Sequence, residues 1–293
     1  MNWMMPAILI TVFSISVFYS IVCFLIANGF AASNRNTVSV TPNVVYEDIS
    51  FRSHPDNVLL RGWYIPAASN NTIILMHGGK QNRSQPGIGL IDLCTALNKY
   101  GYSILTFDRR GCGESDSSKM GVRACLDRDF AGAIKFIRDE KGSQENIYLW
   151  GTSIGAVAAL SCAAKVDGVR AIIADSCFAD IPEMASRLLK KTCPAFIVFK
   201  PGSICMGRQF FGMEKDTPMD NASRMSCPIL FINGTEDSAI PKEDTYKLFL
   251  TSRSPASQIW IVNGADHSKS FITSRKEYVA KVTSFLKNRG SGE

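Results

Sequence analysis

Histidine is scarce in this sequence, and several patterns that mark whole classes of protein are missing from it. Only three histidines occur, at positions 54, 77 and 267. The nine cysteines contain no Cys-x-x-Cys pair and no cysteine–histidine cluster with metal-ligand spacing, so we expect no metal site built from them. The net charge is +6, but the basic residues are dispersed and form no stripe with interleaved aromatics, so we expect no nucleic acid as a partner.

The cysteines also lack the pattern of a disulfide framework. Their number is odd and their spacing is irregular, so we expect free thiols. Four of them, Cys177, Cys193, Cys205 and Cys227, fall in or beside one irregular region. Disulfides in that region are the alternative if the domain is exported to an oxidising compartment.

Charged side chains are absent from the first 34 residues. Residues 5–32 form an apolar run that is longer than the about 20 residues needed to cross a bilayer. A secretory signal usually has a basic start and an apolar stretch of roughly 7–15 residues, and this segment has neither. We predict a membrane anchor over residues 1–33; the alternatives are a cleaved signal segment, which would leave a secreted or periplasmic protein, and a buried helix. Arg35 is the only basic residue nearby, so the sequence gives no orientation.

A polar linker, residues 34–43, leads into a region in which short apolar runs alternate with helical patterns up to residue 289. A chain of 293 residues can form one sizeable α/β domain. Alternation of this kind predicts an α/β fold, with a mostly parallel central sheet and helices on both faces. Residues 44–51 and 59–65 predict an antiparallel hairpin ahead of that sheet. We therefore predict one catalytic domain over residues 44–289.

Residues 176–226 interrupt the alternation. They contain four prolines, five methionines, several aromatics and no clear strand. We interpret them as a cap insertion over the carboxyl edge of the sheet, which is where binding sites form in such folds. The alternative is a further helix pair that belongs to the core.

A lone serine between two glycines marks the best candidate site. Ser153 lies in Gly151-Thr152-Ser153-Ile154-Gly155, between an apolar strand pattern and a helix of small residues. A sharp strand-to-helix turn lifts a nucleophilic hydroxyl clear of the sheet, but it strains the backbone and leaves no room for neighbouring side chains. This pattern predicts a nucleophilic serine at position 153.

A nucleophilic serine needs a base, and the base needs a carboxylate to orient it. His267 follows the last predicted strand, whereas His54 lies in an early turn and His77 is better suited to shaping a loop. Asp237 follows the strand before His267, so both residues belong to the same edge as Ser153. The order serine, aspartate, histidine is typical of this arrangement.

Three further carboxylates remain possible partners of the histidine. Asp175 ends a predicted strand at the same edge and is the main rival of Asp237. Glu236 and Asp266 are weaker rivals, and Asp266 adjoins the histidine in the chain, where the geometry is rarely suitable.

Two backbone N–H groups are candidates for an oxyanion hole. Ile154 follows the nucleophile at the start of a helix, where N–H groups have no intrahelical partner. The second donor should come from the loop after an early strand, which reads His77-Gly78-Gly79-Lys80. Gly79 is our choice, because glycine lets a substrate approach the backbone closely.

Six ordered motifs together resemble the α/β-hydrolase superfamily. They are Gly62-Trp63-Tyr64-Ile65-Pro66, His77-Gly78-Gly79, Gly101-Tyr102 with Phe107-Asp108-x-Arg110-Gly111-x-Gly113-x-Ser115, Gly151 to Gly155, Gly234-x-x-Asp237, and Asp266-His267. Within the superfamily the chain is similar to the serine-aminopeptidase-like and acyl-protein-thioesterase-like branch with a short cap. The resemblance implies a triad of Ser153, Asp237 and His267. Many relatives carry Gly-Gly where this chain has Gly155-Ala156.

The resemblance implies a serine hydrolase that cleaves a carboxylic ester, thioester or amide through an acyl-enzyme on Ser153. We expect no cofactor, a small-molecule or acylated substrate, with lipid-like and acylated-protein substrates favoured, and contact with a membrane through the N-terminal segment. One alternative is a membrane-anchored peptidase on short peptides, with Glu183, Glu214 or Asp216 holding the free amine. Another is a catalytically silent binding module with the same fold, since fold alone does not fix function. The sequence gives no oligomeric state.

Overall fold

The fold is given by a computed structural model, which describes residues 4–32, 35–119, 121, 124–142 and 146–290, with the backbone alone at 288–290. The described chain forms two compact units. The smaller unit comprises residues within 1–32, 119–124 and 181–215, and the larger unit comprises the remainder. The predicted anchor and linker lie outside the described residues at positions 1–3 and 33–34.

The larger unit contains an eight-stranded sheet with the strand order β1-β2-β4-β3-β5-β6-β7-β8. Strands β3 to β8 run parallel to one another, and β2 lies antiparallel to both β1 and β4. The strands are β1 Glu47–Arg52, β2 Leu59–Ile65, β3 Asn71–Met76, β4 Ser103–Phe107, β5 Asn146–Thr152, β6 Val169–Asp175, β7 Ile229–Gly234 and β8 Gln258–Val262. The predicted α/β fold and its N-terminal hairpin are confirmed.

Helices follow most of the parallel strands. Those of the larger unit are α2 Leu90–Lys99, α3 Asp127–Phe136, α4 Ile154–Ala163, α7 Pro218–Arg224, α8 Lys242–Thr251, α9 Ser270–Thr273 and α10 Arg275–Gly290. Every residue of β4 and β7 is buried. Strands that are buried along their whole length need cover on both faces, as is typical of a helix-covered parallel sheet.

The two long segments of the smaller unit, residues 1–32 and 181–215, are mostly helical where the structure describes them. This unit contains α1 Met4–Phe30, α5 Ile181–Thr192, a 3-10 turn at Pro194–Phe199 and α6 Lys200–Phe210. The last three elements fall inside the predicted cap insertion, whereas residues 216–226 of that insertion belong to the larger unit. The placement of the cap over the sheet edge stays a prediction.

A buried ion-pair network holds the loop after β4. The Arg110 guanidinium, 1% exposed, lies 2.6 Å from Asp129 Oδ1 and 2.6 Å from Asp56 Oδ2. The backbone N–H of Arg110 also donates to Asp129 Oδ2, at 2.9 Å. Asp129 is completely buried, so each charge depends on the other for compensation. The network therefore ties helix α3 to the loop that carries the Asp-x-Arg-Gly motif.

We expect Asp129→Ala to lower the free energy of unfolding by about 3–5 kcal/mol, because it leaves a buried guanidinium without one of its carboxylates. Urea unfolding of the full chain in detergent measures the change. The matched control is Asp92→Ala, which removes an exposed pair with Arg275 and should cost less than about 1 kcal/mol. Equal effects of the two substitutions would show that the buried network does not stabilise the fold.

Candidate active site

Ser153 lies in the sharp turn between β5 and α4. Its φ is 54° and its ψ is −120°, a conformation that side-chain-bearing residues rarely adopt. Its N–H donates to the carbonyl of Asp175 on the neighbouring strand, at 2.9 Å. The strained residue is thus held by the sheet, with its hydroxyl at the start of helix α4.

The two flanking glycines are required by close backbone contacts. A Cβ at Gly151 would lie 2.3 Å from the carbonyl oxygen of Gly155. A Cβ at Gly155 would lie 2.5 Å from the carbonyl oxygen of Met76, at the end of β3. No side-chain motion relieves either contact, because the opposing atoms are backbone. The turn therefore tolerates only glycine at both positions.

The structure brings Ser153, His267 and Asp237 together in one chain of hydrogen bonds. His267 Nε2 lies 3.1 Å from Ser153 Oγ, and His267 Nδ1 lies 3.0 and 2.9 Å from the two carboxylate oxygens of Asp237. A carboxylate only accepts, so Nδ1 carries the proton and Nε2 is the acceptor for the serine hydroxyl. Asp237 is also held by the N–H groups of Ala239 and Ile240.

The other predicted carboxylates lie elsewhere. Asp266 accepts from Ser238 at the surface, and the N–H of His267 holds the pKa of this carboxyl well below its usual range. No hydrogen bond or ion pair joins Glu236 or Asp175 to the His267 ring among the described residues. The contacts of His267 therefore favour Asp237 as its partner.

His77 is fully buried and serves the loop after β3. Its Nε2 accepts from the N–H of Arg109, at 3.2 Å, so its Nδ1 donates to the carbonyl of Gly78, at 2.8 Å. Burial lowers the pKa of His77 to about 3, so the ring is neutral. Gln85 accepts from the Gly78 N–H at 3.1 Å and fixes the same loop. His77 is thus a loop-shaping residue.

Gly79 and Ile154, the predicted oxyanion donors, are neighbours. A Cβ at Gly79 would lie 3.9 Å from Cγ2 of Ile154. Ile154 is the first residue of α4, so its N–H has no acceptor within the helix. Their assignment as oxyanion donors stays a prediction.

A buried polar cluster beside the triad was not predicted from the sequence. Asp175 is 1% exposed and accepts hydrogen bonds from Tyr278 at 2.9 Å, Ser270 at 3.1 Å and Ser176 at 3.2 Å. Ser176 Oγ in turn accepts from the N–H of Ser268, at 3.0 Å. Ser268 adjoins His267, so the cluster anchors the loop that carries the histidine.

The cluster also contacts the strand that carries the nucleophile. Thr152 Oγ1 donates to Ser268 Oγ at 2.6 Å, and Trp150 Nε1 donates to Tyr278 Oη at 2.9 Å. Serines 176 and 268 both have a positive φ, as Ser153 does. Three strained serines therefore meet at this edge of the sheet. The positive φ is the feature they share, and the sequence marks it only at Ser153, through the flanking glycines.

Among the residues that the structure describes, no three His, Cys, Asp or Glu side chains are grouped as a metal site requires. All nine cysteines lie among the described residues, and none of them forms a disulfide there. The candidate site therefore consists of the triad geometry, two backbone N–H groups and the buried cluster.

Burial raises the pKa of Asp175 to about 6, although its three hydroxyl donors and the charge of His267 act against the rise. The Asp175 carboxyl thus keeps its proton to a higher pH in the folded chain than in the unfolded chain, where its ordinary pKa is 3.8. Its contribution to the free energy of unfolding is complete at low pH and is lost as the pH rises from 3.8 to about 6. Asp175→Asn does not titrate, so we expect its stability relative to the parent to rise by up to ~3 kcal/mol across that interval.

Urea unfolding at several pH values measures that difference. The exposed Asp92→Asn is the control, and it should follow the parent at every pH. A constant difference between Asp175→Asn and the parent would contradict the burial of an ionisable carboxyl at this position.

Two family models match the chain. The model described as "Serine aminopeptidase, S33" matches residues 67–209, which include Gly79 and Ser153. The model described as "Dienelactone hydrolase family" matches residues 205–287, which include Asp237 and His267. Together the two matches cover every residue of the candidate triad.

Similar proteins come from bacteria, animals and archaea. YfhR of Salmonella typhimurium is 29% identical over 262 residues, which are 83% of this chain and 82% of YfhR. The lysophosphatidylserine lipase ABHD12 of Mus musculus is 28% identical over 202 residues, which are 64% of this chain and 47% of the lipase. The esterase Pf2001 of Pyrococcus furiosus has the same fold, with a TM-score of 0.73, 23% identity and coverage of 88% of this chain and 99% of the esterase. The family models and the shared fold show that this chain is a hydrolase of the α/β-hydrolase superfamily.

Proposed function

We propose that the protein is a serine hydrolase that cleaves carboxylic esters through an acyl-enzyme on Ser153. The observation that carries the proposal is the continuous hydrogen-bond chain from Ser153 Oγ through the His267 ring to Asp237. A serine hydroxyl is a poor nucleophile at neutral pH, and a histidine held in one tautomer activates it.

The proposed reaction has two steps. In the first, His267 Nε2 takes the Ser153 proton as Oγ attacks the ester carbonyl, and His267 then gives that proton to the departing alcohol. In the second, water gives a proton to His267, attacks the acyl-enzyme and releases the acid, and Ser153 regains its proton. Asp237 stabilises the imidazolium that forms in each step and does not itself take the proton.

The oxyanion that forms in both steps needs donors. The N–H groups of Ile154 and Gly79 fit this role, because both are backbone groups beside the nucleophile and need no reorganisation during the reaction. Removal of one such donor typically raises the barrier by about 3–4 kcal/mol. Gly79 also leaves space beside Ile154, since its two chain neighbours apart, the Ile154 methyl is the one described group within 4 Å of its Cβ position.

We further propose that the substrate is a lipid-like ester and that α1 anchors the protein in a membrane. One relative is by its name a lysophosphatidylserine lipase, and the chain spans about half of that lipase's length. Helix α1 is the one described helix that is both long and apolar enough to cross a bilayer, and a signal sequence would pass the same test. A membrane-held hydrolase would meet lipid esters at high local concentration.

Peptidase activity on short peptides is a second candidate, because the Serine aminopeptidase, S33 model matches the part of the chain that holds Ser153. The same triad would serve an amide. The two candidates differ in the leaving group, which is an alcohol for a lipid ester and a free amine for a peptide. A catalytically silent binding module is less well supported, because no member of the candidate triad is missing or turned away.

We expect a fluorophosphonate probe to label the full chain in detergent at Ser153, as located by peptide mass. His267→Ala should slow labelling by about 10⁴-fold, since the serine loses its base. The matched control is His54→Ala, which changes an exposed histidine at the far hairpin and should leave labelling unchanged. A folded chain that does not react at Ser153 would overturn the serine mechanism.

A substrate panel separates the two candidates. We expect hydrolysis of lysophospholipid esters, with a rate that depends on acyl-chain length, and much slower release of amine from aminoacyl amides. Faster cleavage of the amides, abolished by Ser153→Ala, would favour the peptidase and contradict the lipid-ester proposal.

A further inference from the structure

Helix α1 has two parts with different surroundings. Residues 4–21 are all exposed, whereas Cys23 and Ala27 are buried. The exposed part is about 27 Å long at 1.5 Å per residue. This length is close to the ~30 Å hydrocarbon thickness of a bilayer. The helix therefore carries a segment of bilayer length that ends at about residue 21.

The buried part of α1 packs on helix α6. Cys23 lies against Gly202, where a Cβ would come within 2.4 Å of the cysteine sulfur. The Phe24 ring packs against the rings of Phe210 and Phe211, with centroids 5.8 and 5.4 Å away. Small residues thus bring the two helices together, and aromatic contacts fix them. Helix α6 is therefore packed against α1 directly after the exposed segment, which ends at about residue 21.

The Pro194–Phe199 turn lies beside α1 at that end. Tyr19 Oη donates to the carbonyl of Val198 at 3.2 Å, and its ring lies 5.3 Å from the ring of Phe199. The Phe196 ring follows at 6.2 Å from Phe199. Tyrosine is enriched where membrane helices cross from hydrocarbon to headgroups. The turn is thus at the level where α1 would leave the bilayer core.

The same turn exposes apolar side chains. Phe196 is 37% exposed and Val198 is 59% exposed, next to the exposed Pro194 and Ala195. Leu188, in the preceding helix α5, is 39% exposed. Exposed apolar patches of this kind indicate a protein or membrane partner.

The charge around the turn is of one sign. No aspartate or glutamate occurs between Glu183 and Glu214, and the basic residues in that interval are Arg187, Lys190, Lys191, Lys200 and Arg208. Lys190 and Lys191 lie in the last turn of α5, and Lys200 begins α6, so lysines flank the apolar turn on both sides. Basic residues near an anionic leaflet are attracted to its surface. Apolar side chains between lysines favour an anionic phospholipid surface over a protein partner.

We propose that the Pro194–Phe199 turn is a second membrane-contact element, which inserts Phe196 and Val198 at the interface of an anionic bilayer while the flanking lysines bind its headgroups. The proposal rests on the membrane anchoring by α1 proposed above. It adds a peripheral contact of the smaller unit, which fixes that unit against the membrane surface.

Tryptophan fluorescence of the full chain in phosphatidylserine-containing vesicles tests the contact. Phe196→Trp adds a fluorophore at the turn, and its added signal is read as the difference from the parent. Lipids brominated near the headgroup end of the acyl chains should quench about half of that added signal, since interfacial side chains reach ~5–10 Å into the headgroup and acyl boundary. The matched control is the same Phe196→Trp chain in vesicles of the same composition without brominated lipid, in which the added signal should persist.

Lys190→Glu combined with Lys191→Glu in the Phe196→Trp chain should weaken the quenching in anionic vesicles and have less effect in neutral ones. An unquenched Phe196→Trp signal in a protein that resists alkaline carbonate extraction would overturn the contact and leave the anchor intact. A protein that carbonate extracts would overturn the anchor and the contact together. Fluorophosphonate labelling of Ser153, measured on the same samples, reports the hydrolase proposal separately.

Discussion

The close approach of helix α4 to the ends of β3 and β5 is the constraint on which the site depends. Gly155 passes the Met76 carbonyl and Gly151 passes the Gly155 carbonyl at distances that exclude any Cβ. This contact forces Ser153 into a positive φ and turns its hydroxyl out of the sheet. The same register places the ends of β6 and β7 beside it, and the loop after β7 carries Asp237, the partner of His267. A local steric limit therefore sets the position of the nucleophile in the candidate site.

The fold could be predicted, and the residues that meet in the candidate site could be singled out, because their signals are local. Strand–helix alternation gives the parallel sheet, and parallel strands direct their carboxyl ends to one edge. With three histidines in the chain, the choice of His267 needed little more than its place after the last strand. Gly151 and Gly155 indicate the turn, because glycines two residues before and two residues after a serine mark a turn that leaves no room for side chains.

The buried polar cluster could not be predicted, because its members are ordinary residues distant in the chain. The sequence indicates Asp175 only as a rival of Asp237 in the triad. Its hydrogen-bond partners in the structure, Ser176, Ser270 and Tyr278, come from separate segments of the chain. Each is compatible with a surface position when read alone. The predicted cap insertion also includes α7, which carries a capping box and belongs to the larger unit.

The packing of α1 has a consequence for the maturation of the protein. Proteolytic removal of the N-terminal segment at the small residues Gly29-Phe30-Ala31 would take away Cys23 and Ala27, and would uncover the Phe211 ring, which is fully buried. The helix is therefore part of the packing of the smaller unit, and any mature form without it would need another group to cover the Phe211 ring.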